Sequence, residues 1–337
     1  MNSIISEYDF NGIRCVRMQH GKYTCIVAPG LGASVLRLRD EENRIEVFRY
    51  NKNASAQQIE SEREIWGLPT LYLPNRFEDG IIKTSDGLYK MPINVPDQHN
   101  YIHGWVHRRP HVIESIEDSE EKCVLVTSFT HDSKDEMYTF FPVDFKISYT
   151  FTLSDEGLRQ EISLTNLSDK ALPVSLCTHT TINAPMSDEG EEKDLRLFVP
   201  VVKRCELNER CLPTQELLAL NDWDKEYLTG KMPTLQVIDN DMYTAGTNKL
   251  DGEDFYGAYV KDTAKGTLVL NRVSKEFRFW NMWNQDGVNH YFCPEPMTAM
   301  INCTNLTLPH EVTGYCELSK GQSYTCWQSF CTRKVEI

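Results

Sequence analysis

The chain has 337 residues, of which 40% are hydrophobic and 25% are charged, a composition typical of a globular protein with a large core. Its formal net charge of −14 at pH 7 disfavours nucleic acid and anionic membrane surfaces as partners. The sequence shows no signal-peptide pattern, no apolar run of membrane-spanning length and no zinc spacing among its 11 cysteines, so we expect a cytoplasmic protein with free thiols.

Strand patterns dominate the chain. Apolar and polar residues alternate without interruption over Phe145–Leu153, which is the period of a half-buried strand. Turn signals then lead into Leu158–Asn166 and Leu172–Cys177, which predicts an antiparallel meander. Similar runs predict strands, in chain order, at Tyr23–Val27, Ser34–Leu38, Lys122–Phe129, Arg196–Val202, Phe255–Lys261, Thr267–Val273, Phe277–Trp283 and Ser323–Cys331.

Helix patterns are few. Ser55–Trp66 is a candidate helix with Ser55 as its cap, and Gln215–Leu220 is a candidate helical turn. Many strands and few helices favour a sandwich or a barrel over a βαβ fold. Because no linker or repeat divides the chain, we predict one all-β domain over residues 1–337, a large antiparallel β-sandwich.

Two stretches in the first third of the chain place polar groups beside turns. Arg76 follows Pro74-Asn75, and an arginine fork holds two hydroxyls or a carboxylate in fixed geometry. The alternative is an arginine paired with Glu78 or Asp79 in a surface turn. His103 precedes a glycine, which allows close approach of a ligand, although a hydrogen-bonded loop histidine is the alternative.

The segment around His103 contains further candidate ligand groups. His107, Arg108 and Arg109 add hydrogen-bond donors, and Trp105 offers a flat face of the kind that packs on a sugar ring. Since no residue in this segment has a decisive setting, the sequence leaves their roles open.

An acid–base pair is predicted from the second half of the chain. His179 follows a strongly predicted strand, where a histidine is either structural or an acid/base group. Glu295 lies between Pro294 and Pro296 in an apolar run, so the backbone is stiff and burial should raise the pKa of the carboxyl. The alternative for Glu295 is a salt-bridged structural residue.

Nucleotide, metallopeptidase and serine-hydrolase motifs do not occur in the sequence. No cofactor or metal is therefore expected, and the long separations among His103, His179 and Glu295 carry no metal signature. An acid and a base without a cofactor fit proton transfer, isomerisation or hydrolysis.

In their order and spacing, four segments resemble the aldose 1-epimerase (galactose mutarotase) family. Pro74-Asn75-Arg76-Phe77-Glu78-Asp79-Gly80 resembles its P-N-R-I-x-x-G segment, and His103-Gly104 with Arg109-Pro110 resembles its H-G-x-x-x-x-x-P segment. His179-Thr180-Thr181-Ile182-Asn183 and Cys293-Pro294-Glu295-Pro296 are similar to its histidine and C-x-E-P segments. The resemblance spans about Tyr23 to Phe330.

This resemblance implies the galactose mutarotase-like supersandwich and interconversion of the α and β anomers of a hexose. Carried over, Glu295 is the general base at the C1 hydroxyl and His179 is the acid at the ring oxygen. Arg76, His103 and Asn75 would bind the sugar. Members with galactose activity also present an aspartate to the sugar, and Asp241, Asp239 and Asp254 are all candidates here, of which we assign Asp241.

Two features leave the substrate open. Thr180-Thr181 stands where many members have an aromatic residue, and a phosphorylated sugar would need cations such as Arg108 and Arg109. We expect a monosaccharide as the partner of a monomer or homodimer. The alternatives are a carbohydrate-binding or sensing protein without turnover, and a glycoside hydrolase or lyase, which would need a second carboxylate beside Glu295.

Overall fold

The computed structural model describes residues 4–335, which form antiparallel β-sheets with few helices. Strands of the first third of the chain are β1 (Ile4–Phe10), β2 (Ile13–His20), β3 (Tyr23–Ala28), β4 (Ser34–Asp40), β5 (Ile45–Glu46), β6 (Thr70–Tyr72), β7 (Arg76–Glu78), β8 (Ile81–Lys83), β9 (Leu88–Lys90) and β10 (Asn100–Ile102). Strands of the middle third are β11 (Val112–Asp118), β12 (Cys123–His131), β13 (Phe145–Ser154), β14 (Gly157–Asn166), β15 (Leu172–Val174), β16 (Leu176–Thr178), β17 (Ile182–Asn183), β18 (Leu195–Phe198), β19 (Val201–Leu207) and β20 (Pro213–Leu218).

The last third follows the same plan. Its strands are β21 (Asp241–Ala245), β22 (Asn248–Leu250), β23 (Glu253–Phe255), β24 (Gly257–Asp262), β25 (Thr267–Val273), β26 (Phe279–Trp283), β27 (Tyr291–Met297), β28 (Cys316–Leu318) and β29 (Ser323–Lys334). The α-helices are α1 (Ala56–Ser61), α2 (Asp222–Thr229) and α3 (His310–Thr313), and 3₁₀-helices occur at Arg63–Ile65, Pro96–Gln98, Val106–Arg108, Glu136–Thr139, Glu192–Asp194 and Cys303–Asn305. Of the helices in residues 4–335, none has the length and apolar character needed to cross a membrane.

Three large sheets share one core. The N-terminal sheet contains β1 to β5 in chain order, and the long sheet has the order β11-β12-β13-β14-β29-β25-β24-β18. The site sheet has the order β20-β19-β21-β26-β27-β16-β6, with β17 also paired to β27. Buried side chains from all three sheets, among them Tyr23, Phe151 and Trp280, belong to the same apolar cluster. The predicted antiparallel β-sandwich is confirmed.

Polar side chains join the long sheet to the site sheet inside the core. Gln160 donates to Thr70 Oγ1 at 3.0 Å and accepts from Gln328 Nε2 at 2.9 Å. Thr178 donates to Gln328 Oε1 at 3.1 Å. Because buried polar groups cost free energy unless they are paired, this series of hydrogen bonds fixes the two sheets relative to each other. Thr178 directly precedes His179, so it also fixes the start of the turn that carries the predicted acid.

Strand predictions are confirmed where apolar and polar residues alternate regularly. Strand β13 buries every second residue, as predicted. The helix predicted at Ser55–Trp66 occurs as α1 followed by a 3₁₀-turn, and Ser55 Oγ accepts from Gln58 N as its cap. The helical turn predicted at Gln215–Leu220 is wrong, because this segment pairs with β19 as strand β20.

Candidate active site

Glu295 lies at the floor of a cleft in the site sheet. It is on β27, opposite Asn281 of β26, and its side chain is 2% exposed. Its Oε1 is 3.5 Å from both Asn281 Nδ2 and His179 Nε2, and its Oε2 is 3.8 Å from Cys177 Sγ. Burial raises the pKa of Glu295 to about 8, against the opposing effects of Asn281, Cys177 and Arg76. The carboxyl is thus half-ionised at about pH 8 and mostly protonated at pH 7, with a pKa close enough to neutrality for a general base.

The prolines beside Glu295 interrupt one edge of β27. Backbone groups of even-numbered residues in this segment face β16 and β17, as the hydrogen bonds of Thr298 and His290 show. Pro294 and Pro296 have even numbers and cannot donate to that edge. Pairing stops there, and the turn that carries His179 lies in the gap between β16 and β17. The prolines therefore make room for the acid as well as stiffening the strand of the base.

His179 completes the pair from that turn. Its backbone N donates to Pro69 O at 3.0 Å, and its ring lies edge-to-face against His103, with centroids 5.5 Å apart, and against Trp283 at 6.0 Å. Burial lowers the pKa of His179 to about 4. The imidazole is therefore neutral at physiological pH. Between about pH 4 and 8 the pair with Glu295 holds one proton, on the carboxyl.

Arg76 and Asn75 enter the cleft from the start of β7. Asn75 has a left-handed backbone with φ of 53°, and it accepts from Arg76 at 3.1 Å. Arg76 also donates to Gln98 at 2.8 Å. Glu78 and Asp79 pair with Arg210 rather than with Arg76, so the surface-turn alternative is wrong. Within the described range no carboxylate forms an ion pair with Arg76, and its charge is available to a ligand.

His103 follows strand β10, which pairs with β7. Its backbone is left-handed with φ of 68°, and its N donates to Asn75 O at 2.9 Å. A Cβ on Gly104 would lie 1.8 Å from Tyr72 O, so glycine is required for this close approach. Burial lowers the pKa of His103 well below its ordinary value, so the ring is neutral. The turn thus presents an uncharged imidazole beside His179.

The cleft encloses about 450 Å³. It brings together Glu295, His179, Arg76, Asn75 and His103, all predicted from the sequence. Its other lining residues come from five separate segments: Glu64, Ile65, Asn94, Ile102, Gly104, Arg108, Asn240, Asn281 and Trp283. The set is rich in amide, carboxylate and imidazole groups, which suits a small ligand with many hydroxyls.

Asp241, which we expected to contact the sugar, does not line the cleft. It is 7% exposed, and its Oδ2 accepts from Trp223 Nε1 at 2.6 Å and from Tyr227 OH at 3.3 Å. Its side chain faces helix α2, whereas Asn240, which precedes β21 and has a left-handed φ of 56°, lines the cleft. The other two candidates, Asp239 and Asp254, are exposed and lie outside the lining too.

Two further side chains have structural positions that the sequence did not reveal. Trp105 is 2% exposed and packs among aromatic rings in the core, so it is unavailable to a sugar. Arg109 pairs with Asp135 and Glu136. The aromatic side chain that lines the cleft is Trp283. Arg108 lines the cleft and Arg109 does not.

Glu64 is the second carboxylate of the cleft and had no signal in the sequence. Its Oε1 lies 2.8 Å from His107 Nε2 and accepts from Arg108. Although burial acts to raise the pKa of Glu64, His107 and Arg108 hold it below its ordinary value. Asn281 and Trp283 could have been found, since the alternation of β26 places both on one face.

Groups of three or more metal-binding side chains are not found in residues 4–335. His103, His179 and Glu295 lie together but do not form such a group. The arrangement is a cleft with the protonated carboxyl of Glu295, the ionised carboxylate of Glu64, two neutral imidazoles and Arg76, whose charge has no carboxylate partner in residues 4–335. It can move a proton between two neighbouring atoms of a ligand.

Solved structures of other proteins share the fold of this chain. A crystal structure of a galactose mutarotase-like protein from Clostridium acetobutylicum superposes with a TM-score of 0.96 at 28% identity and covers 99% of both chains. Galactose 1-epimerase from Lactobacillus acidophilus has a TM-score of 0.77 at 13% identity, over 100% of both chains. A putative aldose 1-epimerase from Escherichia coli gives 0.73 at 16% identity, over 98% of this chain and 100% of that one.

The last two structures are too distant in sequence to show more than the fold. The model of the family described as aldose 1-epimerase matches residues 14–331, which is nearly the whole chain. This match includes all four segments whose residues meet in the cleft. The chain therefore belongs to the aldose 1-epimerase family.

Proposed function

We propose that the protein interconverts the α and β anomers of a free hexose by acid–base opening and closure of the ring. The observation that carries the proposal is the contact between Glu295 and His179, whose Oε1 and Nε2 atoms are 3.5 Å apart. The C1 hydroxyl oxygen and the ring oxygen of an aldose are bonded to the same carbon. A base and an acid that serve these two oxygens must therefore be neighbours.

The reaction needs one proton to leave and one to arrive. Glu295 takes the proton of the C1 hydroxyl, the C1–ring-oxygen bond breaks, and the ring oxygen takes a proton from His179. The open aldehyde rotates about its C1–C2 bond. The hydroxyl at C5 then attacks the other face of C1, returning its proton to His179, while Glu295 returns its proton to O1. No atom is gained or lost.

The proton of the pair must move before ring opening begins. In the free protein Glu295 holds it at neutral pH, because burial raises the pKa of the carboxyl and lowers that of His179. Transfer from Glu295 to His179 generates the base and the acid in one step. The charge separation that results is favoured by the neighbouring charges of Arg76 and Glu64, which act on Glu295 and His179 respectively.

The remaining polar groups hold the sugar. Arg76 and Asn75 donate to ring and hydroxyl oxygens from one side, and His103 donates or accepts from an uncharged ring. Glu64 Oε2 accepts from a hydroxyl, and Asn240 replaces the aspartate that the sequence suggested. Trp283 packs against the carbon face of the ring.

A single neutral sugar fits the cleft best. Its volume of about 450 Å³ is at the small end of ligand sites, which range over roughly 300–1,000 Å³. Of its two arginines, Arg108 is paired with Glu64, and only Arg76 is free of carboxylates. A phosphate would need more cations than this.

Polarimetry of fresh α-glucose and α-galactose tests the proposal. We expect rotation to reach equilibrium faster with protein than in the buffer blank, in proportion to protein concentration. A panel that also includes pentoses and hexose phosphates identifies the preferred sugar. A rate equal to the blank for every aldose contradicts the proposal.

Carbohydrate binding without turnover is the second candidate function. Saturable binding in a calorimeter without exchange between the anomer signals in NMR would favour it. The buried acid–base contact argues against it, since binding alone does not need a carboxyl with a raised pKa.

A further inference from the structure

The carboxylate of Glu295 lacks strong hydrogen-bond donors. Oε1 has Asn281 Nδ2 and His179 Nε2, both at 3.5 Å, which is the outer limit of a hydrogen bond. For Oε2, the partner found among the described residues is the thiol of Cys177, with Sγ at 3.8 Å. An S–H group is a weak donor.

Cys177 is held firmly in this position. It lies in the middle of β16, paired with Leu71 of β6 on one side and with Met297 of β27 on the other. Its side chain is 1% exposed, and burial raises the pKa of the thiol well above its ordinary value, so the thiol keeps its proton. The strand is fixed by pairing on both sides, and the side chain is packed in a buried apolar cluster with Leu71 and Met297, which leaves the thiol little freedom to turn away from Glu295.

We propose that Cys177 is a positioning residue for Glu295, whose thiol orients Oε2 by an S–H···O hydrogen bond while stabilising the carboxylate only weakly. A stronger donor at this position would favour the ionised form and make a poorer base. The consequence for the rate rests on the proposed function, whereas the effect on the titration of Glu295 does not.

Other ionisable groups lie near Glu295. His179 faces it from the turn after β16, and Arg76 faces it from β7. Cys293, on the same strand, lies close enough to interact through charge, but its Sγ contacts Thr181 Oγ1 at 3.6 Å instead of the carboxylate. Cys293 is therefore the matched control: a buried thiol near Glu295 that does not bond to it.

The test is a titration of Glu295 by pH-difference infrared spectroscopy of the isolated protein. The band of the protonated carboxyl is assigned by its absence in Glu295→Gln. We expect Cys177→Ser to lower the midpoint by about one pH unit, a tenfold change in the acid dissociation constant, because an O–H donor stabilises the carboxylate better. Cys177→Ala should raise the midpoint, because the donor is lost, and Cys293→Ser should leave it unchanged.

A hydrogen bond from position 177 predicts that the Glu295 midpoint shifts in opposite directions in Cys177→Ser and Cys177→Ala. General disturbance of the strand would shift the midpoint in the same direction in both variants. Equal midpoints in all variants, or shifts of Cys177→Ser and Cys177→Ala in the same direction, would overturn the proposal. If Cys177→Ser does not fold, the proposal is overturned by a Glu295 midpoint in Cys177→Ala that is at or below the wild-type midpoint. Shifted midpoints in a protein without anomer exchange would contradict the proposed function alone.

Discussion

At the scale of single residues, Glu295 and His179 share one proton over a wide range of pH. Their pKa values, about 8 and about 4, are displaced in opposite directions because burial penalises the charged form of each. The state with one proton is the only one that contains both a base and an acid after internal transfer. Loss of this proton leaves no acid, and gain of a second proton leaves no base.

We therefore predict a bell-shaped dependence of kcat/KM on pH. The rate should fall above about pH 8, where the pair loses its proton and no acid remains, and below about pH 4, where both groups are protonated and no base remains. Initial rates from pH 3.5 to 9.5, corrected for the buffer blank at each pH, check this. A rate that keeps rising through pH 9 would contradict the shared proton.

The raised pKa of Glu295 also predicts a cost in stability. Between its ordinary value of 4.5 and about 8, the folded protein binds more of this proton than the unfolded chain does. The free energy of unfolding attributable to Glu295 therefore falls as pH rises through this window. Glu295→Gln removes the cost of ionising this buried carboxyl. The free energy of unfolding of the variant minus that of wild type should therefore be larger at pH 8.5 than at pH 5, by about a few kcal/mol.

Urea unfolding of both proteins at the two pH values gives this comparison directly. Burial holds the pKa of His179 at about 4, so this residue stays neutral in the folded protein at both pH values. An equal stability difference at pH 5 and pH 8.5 would show that Glu295 is not desolvated in the folded protein.

At the scale of elements, helix α2 packs against strand β21 and fixes the position of Asn240, which lines the cleft. Asp241, on β21, is bonded to Trp223 and Tyr227 of α2, and the preceding residue, Asn240, reaches the cleft and accepts from Arg76 at 3.4 Å. The helix thus fixes a ligand-facing group through a buried aspartate that does not touch the ligand.

Replacing Asp241 by alanine should loosen this support. The buried donors of Trp223 and Tyr227 lose their acceptor, which costs about 1–3 kcal/mol of stability. We expect KM to rise severalfold with a smaller change in kcat, since Asn240 holds the sugar and not the reacting atoms. Asp254→Asn, in an exposed hairpin, is the control and should change stability by less than about 0.5 kcal/mol.

Regular strands could be predicted from the sequence because alternation reports burial residue by residue, as in β13. Strand β20 could not, because its glutamine, glutamate and leucines favour a helix in isolation and only pairing with β19 makes it a strand. The strand predicted over Arg196–Val202 is in fact two, β18 and β19, which belong to different sheets. Such choices depend on partners distant in the chain.

At the scale of the whole molecule, the cleft is assembled from segments far apart in sequence. Glu295, His179, Arg76 and His103 could be predicted as one site because four segments resemble the family in their order and spacing, although each residue taken alone also allowed a structural role. Glu64 could not, since its role arises only when its segment meets His107 and Arg108. That residues 1–337 form a single domain stays a prediction.

The net charge of −14 predicts how the enzyme responds to salt. For a neutral aldose, kcat/KM should be unchanged between roughly 20 mM and 500 mM sodium chloride, because no charge is steered. For a hexose phosphate, any activity should increase as salt screens the repulsion. A steep fall in kcat/KM of the preferred sugar with salt would instead indicate an anionic substrate drawn in by Arg76 and Arg108.

The central claim is that Glu295 is the base at C1, and the anomerisation rate of Glu295→Gln tests it most directly. Exchange between the anomer signals of the preferred aldose is measured by NMR for wild type and variant, with folding checked by thermal unfolding. We predict a fall in kcat of about 10²–10⁴-fold in a variant that folds and still binds the sugar. A variant rate within about threefold of wild type would contradict the account.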